Sequence, residues 1–347
     1  MKHKKNLLFI VLFLIGCNNN NSVIVSEKES DEPIVFVDFK TIKIEQNEKY
    51  YYANIIKEFK DISIDVLDNN IASVENNYVV GKNKGSTKLR LIYNNETQYV
   101  NIYVKDIDTY SSSFSFDEER LYGKNIVAFG DSVTATSTIG TNKTYVDLFA
   151  NKFNMNFVKN YAIGGTTATY MYEGSNIYKE YKDNTNAIDG CRVVYNAYTN
   201  NELNNIDYAF IAFGHNDQYF QPPISVDGDD KYCIDNTFAS AHSFKGSYRY
   251  IINVLKKANP NIRIILLNCT YSEYDKNLAS PYGDTYSYLD YRVAIKEIAN
   301  EFNCRYIDPW DYLKEYFDFK KENYYYKDSV HLSINGHKKL YEYIIEN

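Results

Sequence analysis

Asn125-Ile126-Val127-Ala128-Phe129-Gly130-Asp131-Ser132-Val133 is the stretch on which the reading of the chain turns. Ile126 to Phe129 are apolar without a break, and Gly130 closes the run. A short continuous apolar segment ended by a turn residue suits a strand buried on both faces, although periodicity alone does not separate it from a buried helix. Similar short runs return at Phe157-Val158, Tyr208 to Phe213 (closed by Gly214), Ile262 to Leu267 and Arg305-Tyr306-Ile307. Between them lie stripes at helical spacing: Tyr145, Leu148, Phe149 and Phe153; Tyr248, Ile251, Ile252 and Leu255, stopped by Pro260; and Tyr291, Ala294, Ile295, Ile298 and Phe302. Buried strands alternating with amphipathic helices predict a parallel sheet with helices on both faces, over residues 121–347. In such sheets the ligand site lies beyond the carboxyl ends of the strands.

Upstream the pattern differs. Residues 34–105 carry alternating or β-branched runs at Ile34 to Val37, Thr41 to Ile44, Ile62 to Val66, Leu89 to Ile92 and Tyr99 to Val104. Asn- and Asp-rich turns separate them, as at Asp68-Asn69-Asn70, Glu75-Asn76-Asn77 and Asn94-Asn95. This spacing predicts a small β-sandwich. Ile71-Ala72-Ser73-Val74, then Val79-Val80-Gly81 and Gly85-Ser86-Thr87, resembles the bacterial Ig-like domain of the group 2 type. That likeness covers about 70 residues and implies a spacer or adhesion module. Residues 106–120, with serines at 111, 112, 113 and 115, read as a linker.

The first residues read as a targeting segment. Lys2, Lys4 and Lys5 precede an apolar run from Leu7 to Ile15, which is too short to span a bilayer. Leu14-Ile15-Gly16-Cys17 resembles a bacterial lipobox, which implies a signal peptide over residues 1–17 and an acylated Cys17. Residues 18–33 then form a polar tether, and the folded part stands outside a membrane to which the lipid anchors it. The formal charge of −7 disfavours phosphate backbones, so nucleic acid is not an expected partner. Such a compartment permits disulfides among Cys191, Cys233, Cys269 and Cys304. The sequence does not choose a pairing, and buried free thiols are the competing reading for Cys269 and Cys304. No Cys-x-x-Cys spacing supports a zinc site, and Asp227, Asp229 and Asp230 read as a solvated loop.

Four short blocks carry chemistry. Gly130-Asp131-Ser132 puts a serine just after a strand, beside free backbone N–H groups. Asp328-Ser329-Val330-His331 offers what a serine hydroxyl needs: an imidazole base, and a carboxylate three residues away to hold its tautomer. Gly214-His215-Asn216-Asp217 follows another strand and supplies an amide donor, with Asp217 expected to pin its own loop. Asn160-Tyr161-Ala162-Ile163-Gly164-Gly165-Thr166 supplies glycine N–H groups. Taken singly, each is also good turn chemistry.

In this order the blocks resemble the SGNH (GDSL-like) hydrolase family, over about 225 residues from Leu121. Val133 stands where the name-giving motif has leucine, an apolar exchange. The likeness implies a flavodoxin-like three-layer sandwich with a parallel central sheet. It implies Ser132 as nucleophile, His331 as general base and acid, and Asp328 as the orienting carboxylate. The oxyanion hole would be formed by the N–H groups of Ser132 and Gly165 and the amide of Asn216, with Gly164 competing for the place of Gly165. No metal and no organic cofactor is implied. The expected activity is hydrolysis of carboxylic esters, with acetyl esters on a carbohydrate as the leading reading, through an acyl-serine intermediate. The alternatives are a lysophospholipase or lipid esterase on the same triad, or an inactive carbohydrate-binding adhesin. His215 reads as a pocket-lining or loop residue, and His242 and His337 as structural. Two long stretches, Tyr170 to Asn205 and Gln218 to Phe244, read as insertions near the site. Their aromatic residues suit either a carbohydrate rim or plain packing.

Overall fold

The computed structural model describes residues 41–52, 56, 62–105, 116, 118–181, 189–226, 241–273, 282, 285–318 and 324–347. The targeting segment, Cys17, the tether, the run Ile34 to Val37, most of the linker, Cys233 and the Asp227–Asp230 loop lie outside these residues.

The first part is all-β. One sheet has the order β1-β7-β6-β3 and the other β2-β5-β4. Their strands are β1 (Thr41–Glu45), β2 (Lys49–Tyr51), β3 (Ser63–Val66), β4 (Ala72–Glu75), β5 (Tyr78–Gly81), β6 (Gly85–Tyr93) and β7 (Glu96–Lys105). All pairings are antiparallel except β1 with β7, a parallel pairing that the alternation of the runs does not foretell. One face of each sheet is apolar, and the two pack together through Ile42, Ile44, Leu89, Leu91, Val100 and Ile102 from one sheet and Tyr50, Ala72 and Val79 from the other. Asn76-Asn77 and Asn94-Asn95 all have positive φ and turn the two tight hairpins.

The second part is a parallel five-stranded sheet of order β12-β11-β10-β8-β9. The strands are β8 (Asn125–Gly130), β9 (Asn156–Asn160), β10 (Tyr208–Ala212), β11 (Arg263–Leu267) and β12 (Arg305–Ile307). Counted within this part, the order is 2-1-3-4-5, the doubly wound arrangement whose direction reverses between its first and third strands, here β8 and β10. Alternation sends Val127, Phe129, Ala209, Ile211, Ile264 and Leu266 to one face, and Ile126, Ala128, Tyr208, Phe210, Ile265 and Leu267 to the other. Each face is covered by helices. The first packs against α5 (Gly190–Thr199), α7 (Phe244–Ala258) and α8 (Tyr288–Phe302); the second packs against α3 (Tyr145–Lys152), α9 (Trp310–Asp318) and α10 (Ile334–Glu346). Shorter helices are α1 (Glu118–Leu121), α2 (Thr136–Ile139), α4 (Asn176–Tyr181) and α6 (His215–Phe220).

One expected insertion is corrected here. The stretch Tyr170 to Asn205 contains α5, which is a core helix: Asp189 caps it by accepting the Arg192 N–H, and Cys191, Val193, Val194 and Ala197 are buried against the sheet. Cys191, Cys269 and Cys304 are free buried thiols, and burial pushes the Cys304 thiol up to about 12.

The all-β part contacts the amino ends of the parallel strands through paired charges. Glu45 bonds Arg120 (2.6 Å) and Arg263 (2.9 Å), and Lys124 lies 3.1 Å from Glu48 and 3.6 Å from Asp207, with its ammonium over the Tyr50 ring. Tyr50 donates to the Tyr122 carbonyl at 2.9 Å. Three acids face three bases, and the Lys124 side chain is 1% exposed, so pairing is what makes its burial tolerable.

Candidate active site

Ser132 stands in the turn after β8. Val133 and Ala135 fold back on Asp131, whose Oδ1 accepts the Val133 N–H (3.0 Å) and whose carbonyl accepts the Ala135 N–H (3.0 Å). A Cβ at Gly130 would meet the Ala212 carbonyl oxygen and the Thr134 hydroxyl, both at 2.7 Å, so only glycine lets β8 run this close to β10. The Thr138 hydroxyl donates to the Ser132 carbonyl (2.6 Å) and ties α2 to the serine. Val133 is buried in the core, as an apolar residue should be there.

The imidazole arrives from the other end of the sequence. A small loop is closed by the Tyr326–Leu332 bridge and by the Lys327 N–H on the His331 carbonyl (2.7 Å). Within it, Asp328 Oδ1 accepts the N–H groups of Val330 (2.8 Å) and His331 (2.7 Å). Asp328 Oδ2 lies 2.8 Å from His331 Nδ1, and His331 Nε2 lies 2.8 Å from Ser132 Oγ. Partial burial pulls the Asp328 carboxyl upward, but the two backbone N–H groups and the His331 ring outweigh it and hold the carboxyl below its ordinary value. It therefore stays an acceptor, which fixes the His331 proton on Nδ1 and leaves Nε2 to receive one.

The donors come from the ends of β8, β9 and β10. The N–H groups of Ser132, Gly164 and Gly165 donate to nothing among the described residues. A Cβ on Gly164 would lie 3.7 Å from that of Ser132, so this loop runs beside the serine. Asn216 donates one amide hydrogen to the Thr166 carbonyl (3.0 Å), which fixes its rotamer and leaves the second hydrogen available. Gly214, the N-cap of α6, has φ 141°, and a Cβ there would meet Cys269 Sγ at 2.5 Å.

Asp217 does not pin its own loop. Its buried carboxylate accepts the Ala168 N–H (2.8 Å), the Thr169 N–H (3.0 Å) and the Thr169 hydroxyl (2.6 Å), so it latches the Gly164-Gly165 loop onto α6. The partner lies 48 positions away, and nothing in the local sequence around Asp217 signals it. Burial pushes Asp217 up to about 6 and Asp131 up to about 7. His215 is buried with both ring nitrogens engaged, Nδ1 with Tyr288 (3.2 Å) and Nε2 with Thr270 (3.0 Å). Burial, then the nearby His331, brings it down to about 3, so it is a neutral brace. His337 accepts the Tyr145 N–H through Nδ1 (3.3 Å) and stacks on that ring; His242 stacks on Tyr172. Of the aromatic residues expected near the site, Phe220 is buried, Tyr195 and Tyr198 pack on the main core, and Tyr178 packs on Met171, Ile177 and Phe220.

A hydroxyl, an imidazole and a carboxylate in relay beside unspent N–H donors can add an oxygen nucleophile to a carbonyl and stabilise the alkoxide that results. This is the equipment of a serine-type hydrolase. The chain belongs to the GDSL-like Lipase/Acylhydrolase family, whose profile matches residues 128–339, and it is a hydrolase acting on ester bonds. Similar solved structures include a protein from Lactobacillus plantarum (15% identity, TM-score 0.44, covering 67% of this chain and 97% of that one). A member of the lipolytic G-D-S-L family from Veillonella parvula is also similar (18%, 0.41, 64% and 97%). So is an acetylxylan esterase from Geobacillus stearothermophilus (18%, 0.40, 65% and 94%). No curated protein sequence matches the chain.

Proposed function

We propose that this chain is a serine esterase that removes acetyl groups from a carbohydrate through an acyl-Ser132 intermediate. The observation that carries the catalytic assignment is the pair of 2.8 Å contacts, Ser132 Oγ to His331 Nε2 and His331 Nδ1 to Asp328 Oδ2. Ser132 Oγ attacks the ester carbonyl as its proton passes to His331 Nε2. The carbonyl oxygen takes the negative charge against the N–H groups of Ser132 and Gly165 and the free amide hydrogen of Asn216. The C–O bond to the alcohol breaks, and His331 returns the proton to the leaving oxygen. Water then repeats the sequence on the acyl-serine, giving the free acid and restoring Ser132.

The substrate reading is supported by the half-open triad, with the His331 and Asp328 side chains 33% and 54% exposed. A triad this open to solvent leaves room for a large alcohol beside a small acyl group. It is further supported by the expected placement outside the cell, through a lipid on Cys17, with an Ig-like sandwich over residues 34–105. Hydrolysis of p-nitrophenyl acetate, butyrate and octanoate by residues 22–347 and by the same protein with Ser132→Ala tests the assignment. Acetate preference that vanishes in the variant is the expected result. Octanoate preference points to lipids, and equal rates from both proteins overturn Ser132 as nucleophile. Labelling of the full chain in cells with an alkyne fatty acid, lost on Cys17→Ala, tests the anchor.

A further inference from the structure

Tyr219 differs from the aromatic residues around it. It is 43% exposed, whereas Phe220 beside it is 2% exposed. It sits on α6 three positions after Asn216, and residues so spaced on a helix are neighbours, with Cβ atoms about 5–6 Å apart. The Asn216 amide faces the Gly164-Gly165 loop through its bond to Thr166, so Tyr219 lies one helical step from one of the proposed oxyanion donors, Asn216.

The ring is also held. Phe220 and Tyr282 both meet it at near right angles, with centroids 5.0 and 6.0 Å away. Gln221, the C-cap of α6, bonds the backbone of Tyr286 twice, accepting its N–H (2.8 Å) and donating to its carbonyl (2.8 Å). This ties the chain just beyond Tyr282 to the end of the helix. An exposed aromatic ring braced in this way is ordered before a ligand arrives, which lowers the entropy lost on binding.

We propose that Tyr219 is a specificity-determining residue that packs against the sugar ring carrying the ester, resting on the carbohydrate-ester reading above. The C–H bonds on one face of a pyranose are electropositive and meet the electron-rich face of an aromatic ring, while the phenol hydroxyl bonds a ring substituent. With its Cβ about 5–6 Å from that of Asn216, Tyr219 is within reach of a sugar ring whose ester is held against the Asn216 amide. A flexible acyl chain gains little from one rigid, half-wet ring.

The test compares wild type with Tyr219→Leu, which keeps apolar bulk against Phe220 and Tyr282 and removes the aromatic face, and with Tyr219→Trp. Glucose pentaacetate is set against ethyl acetate, which has the same acyl group and no ring, with acid release followed by pH-stat. The kcat/KM ratio of sugar acetate to ethyl acetate is expected to fall about three- to tenfold in Tyr219→Leu, the size of an aromatic contact, and to return in Tyr219→Trp. An unchanged ratio overturns the assignment of Tyr219 and leaves the carbohydrate reading standing. A wild type that cleaves ethyl acetate and not glucose pentaacetate overturns both. Loss confined to p-nitrophenyl octanoate makes Tyr219 an acyl-chain contact instead.

Discussion

Replacing Asp217 by asparagine separates the carboxylate's hold on the glycine loop from the bulk of its side chain. The carboxylate accepts three hydrogens: from the Ala168 N–H, the Thr169 N–H and the Thr169 hydroxyl. An amide has one oxygen. Turned toward Thr169 it keeps two of the three bonds, and its NH2 then faces the Ala168 N–H, donor against donor. A buried N–H left without an acceptor costs about 1–3 kcal/mol, and this sets the expected loss of stability. Some of that loss is offset, because the charge removed is one that burial already disfavours.

The effect on rate follows from the loop that the latch holds. If the Gly165 N–H is one of the oxyanion donors, losing it altogether costs about 10²–10³ in kcat. A loop released at one of its anchors should lose about ten- to a hundredfold, with KM within about twofold, since an oxyanion contact forms mainly in the transition state. Steady-state kinetics on p-nitrophenyl acetate beside urea unfolding reads both quantities. Stability lower by the stated amount with an unchanged kcat would refute the reasoning, because Asp217 would then brace the fold without placing the donor.

Asp131 is expected to link stability to pH. Its Oδ2 is buried without a hydrogen-bond partner and burial pushes the carboxyl up to about 7, whereas an unfolded aspartate titrates near ~3.9. The folded chain thus keeps this proton where the unfolded chain has lost it, so the stabilisation is whole below about pH 4 and is lost as pH rises through about 7. Asp131→Asn should therefore gain in Tm on the wild type between pH 5 and pH 8, and a difference that stays constant across that range contradicts the reasoning. Glu45→Gln leaves Arg120 and Arg263 without their shared carboxylate and should destabilise by about 3–5 kcal/mol, measured by chemical unfolding; a change below 1 kcal/mol would mean that water has replaced it.

The parallel sheet was legible because its central strands are buried on both faces, so Ile126 to Phe129 and Tyr208 to Phe213 are unbroken apolar runs. The edge strand β9 gave a weaker signal, since Val158 is 45% exposed and Lys159 interrupts the run. The helices α9 and α10 were missed: Tyr312, Tyr316, Tyr341 and Tyr343 are partly buried and blur the contrast between faces on which periodicity depends. Of the site, Ser132, Asp328, His331, Gly165 and Asn216 stand in short motifs, and the structure brings Ser132, Asp328 and His331 into one hydrogen-bonded line. The Asp217 latch and the bracing of Tyr219 were not legible, because each is a pairing across 48 or more positions between segments with no shared pattern.

The charges between the all-β part and the parallel sheet bear on how freely the two could be exchanged among related proteins. Glu45 and Arg263 are 218 positions apart, yet changing Glu45 alone removes the buried carboxylate that Arg263 and Arg120 share. A sandwich grafted from elsewhere would have to bring its own acids to meet Arg120, Lys124 and Arg263, or arrive together with apolar replacements for all three. Recombination at residues 106–117 would therefore produce chains that keep both parts and lose their fit. The seam works as a lock on inheritance, and the two halves should descend as one piece.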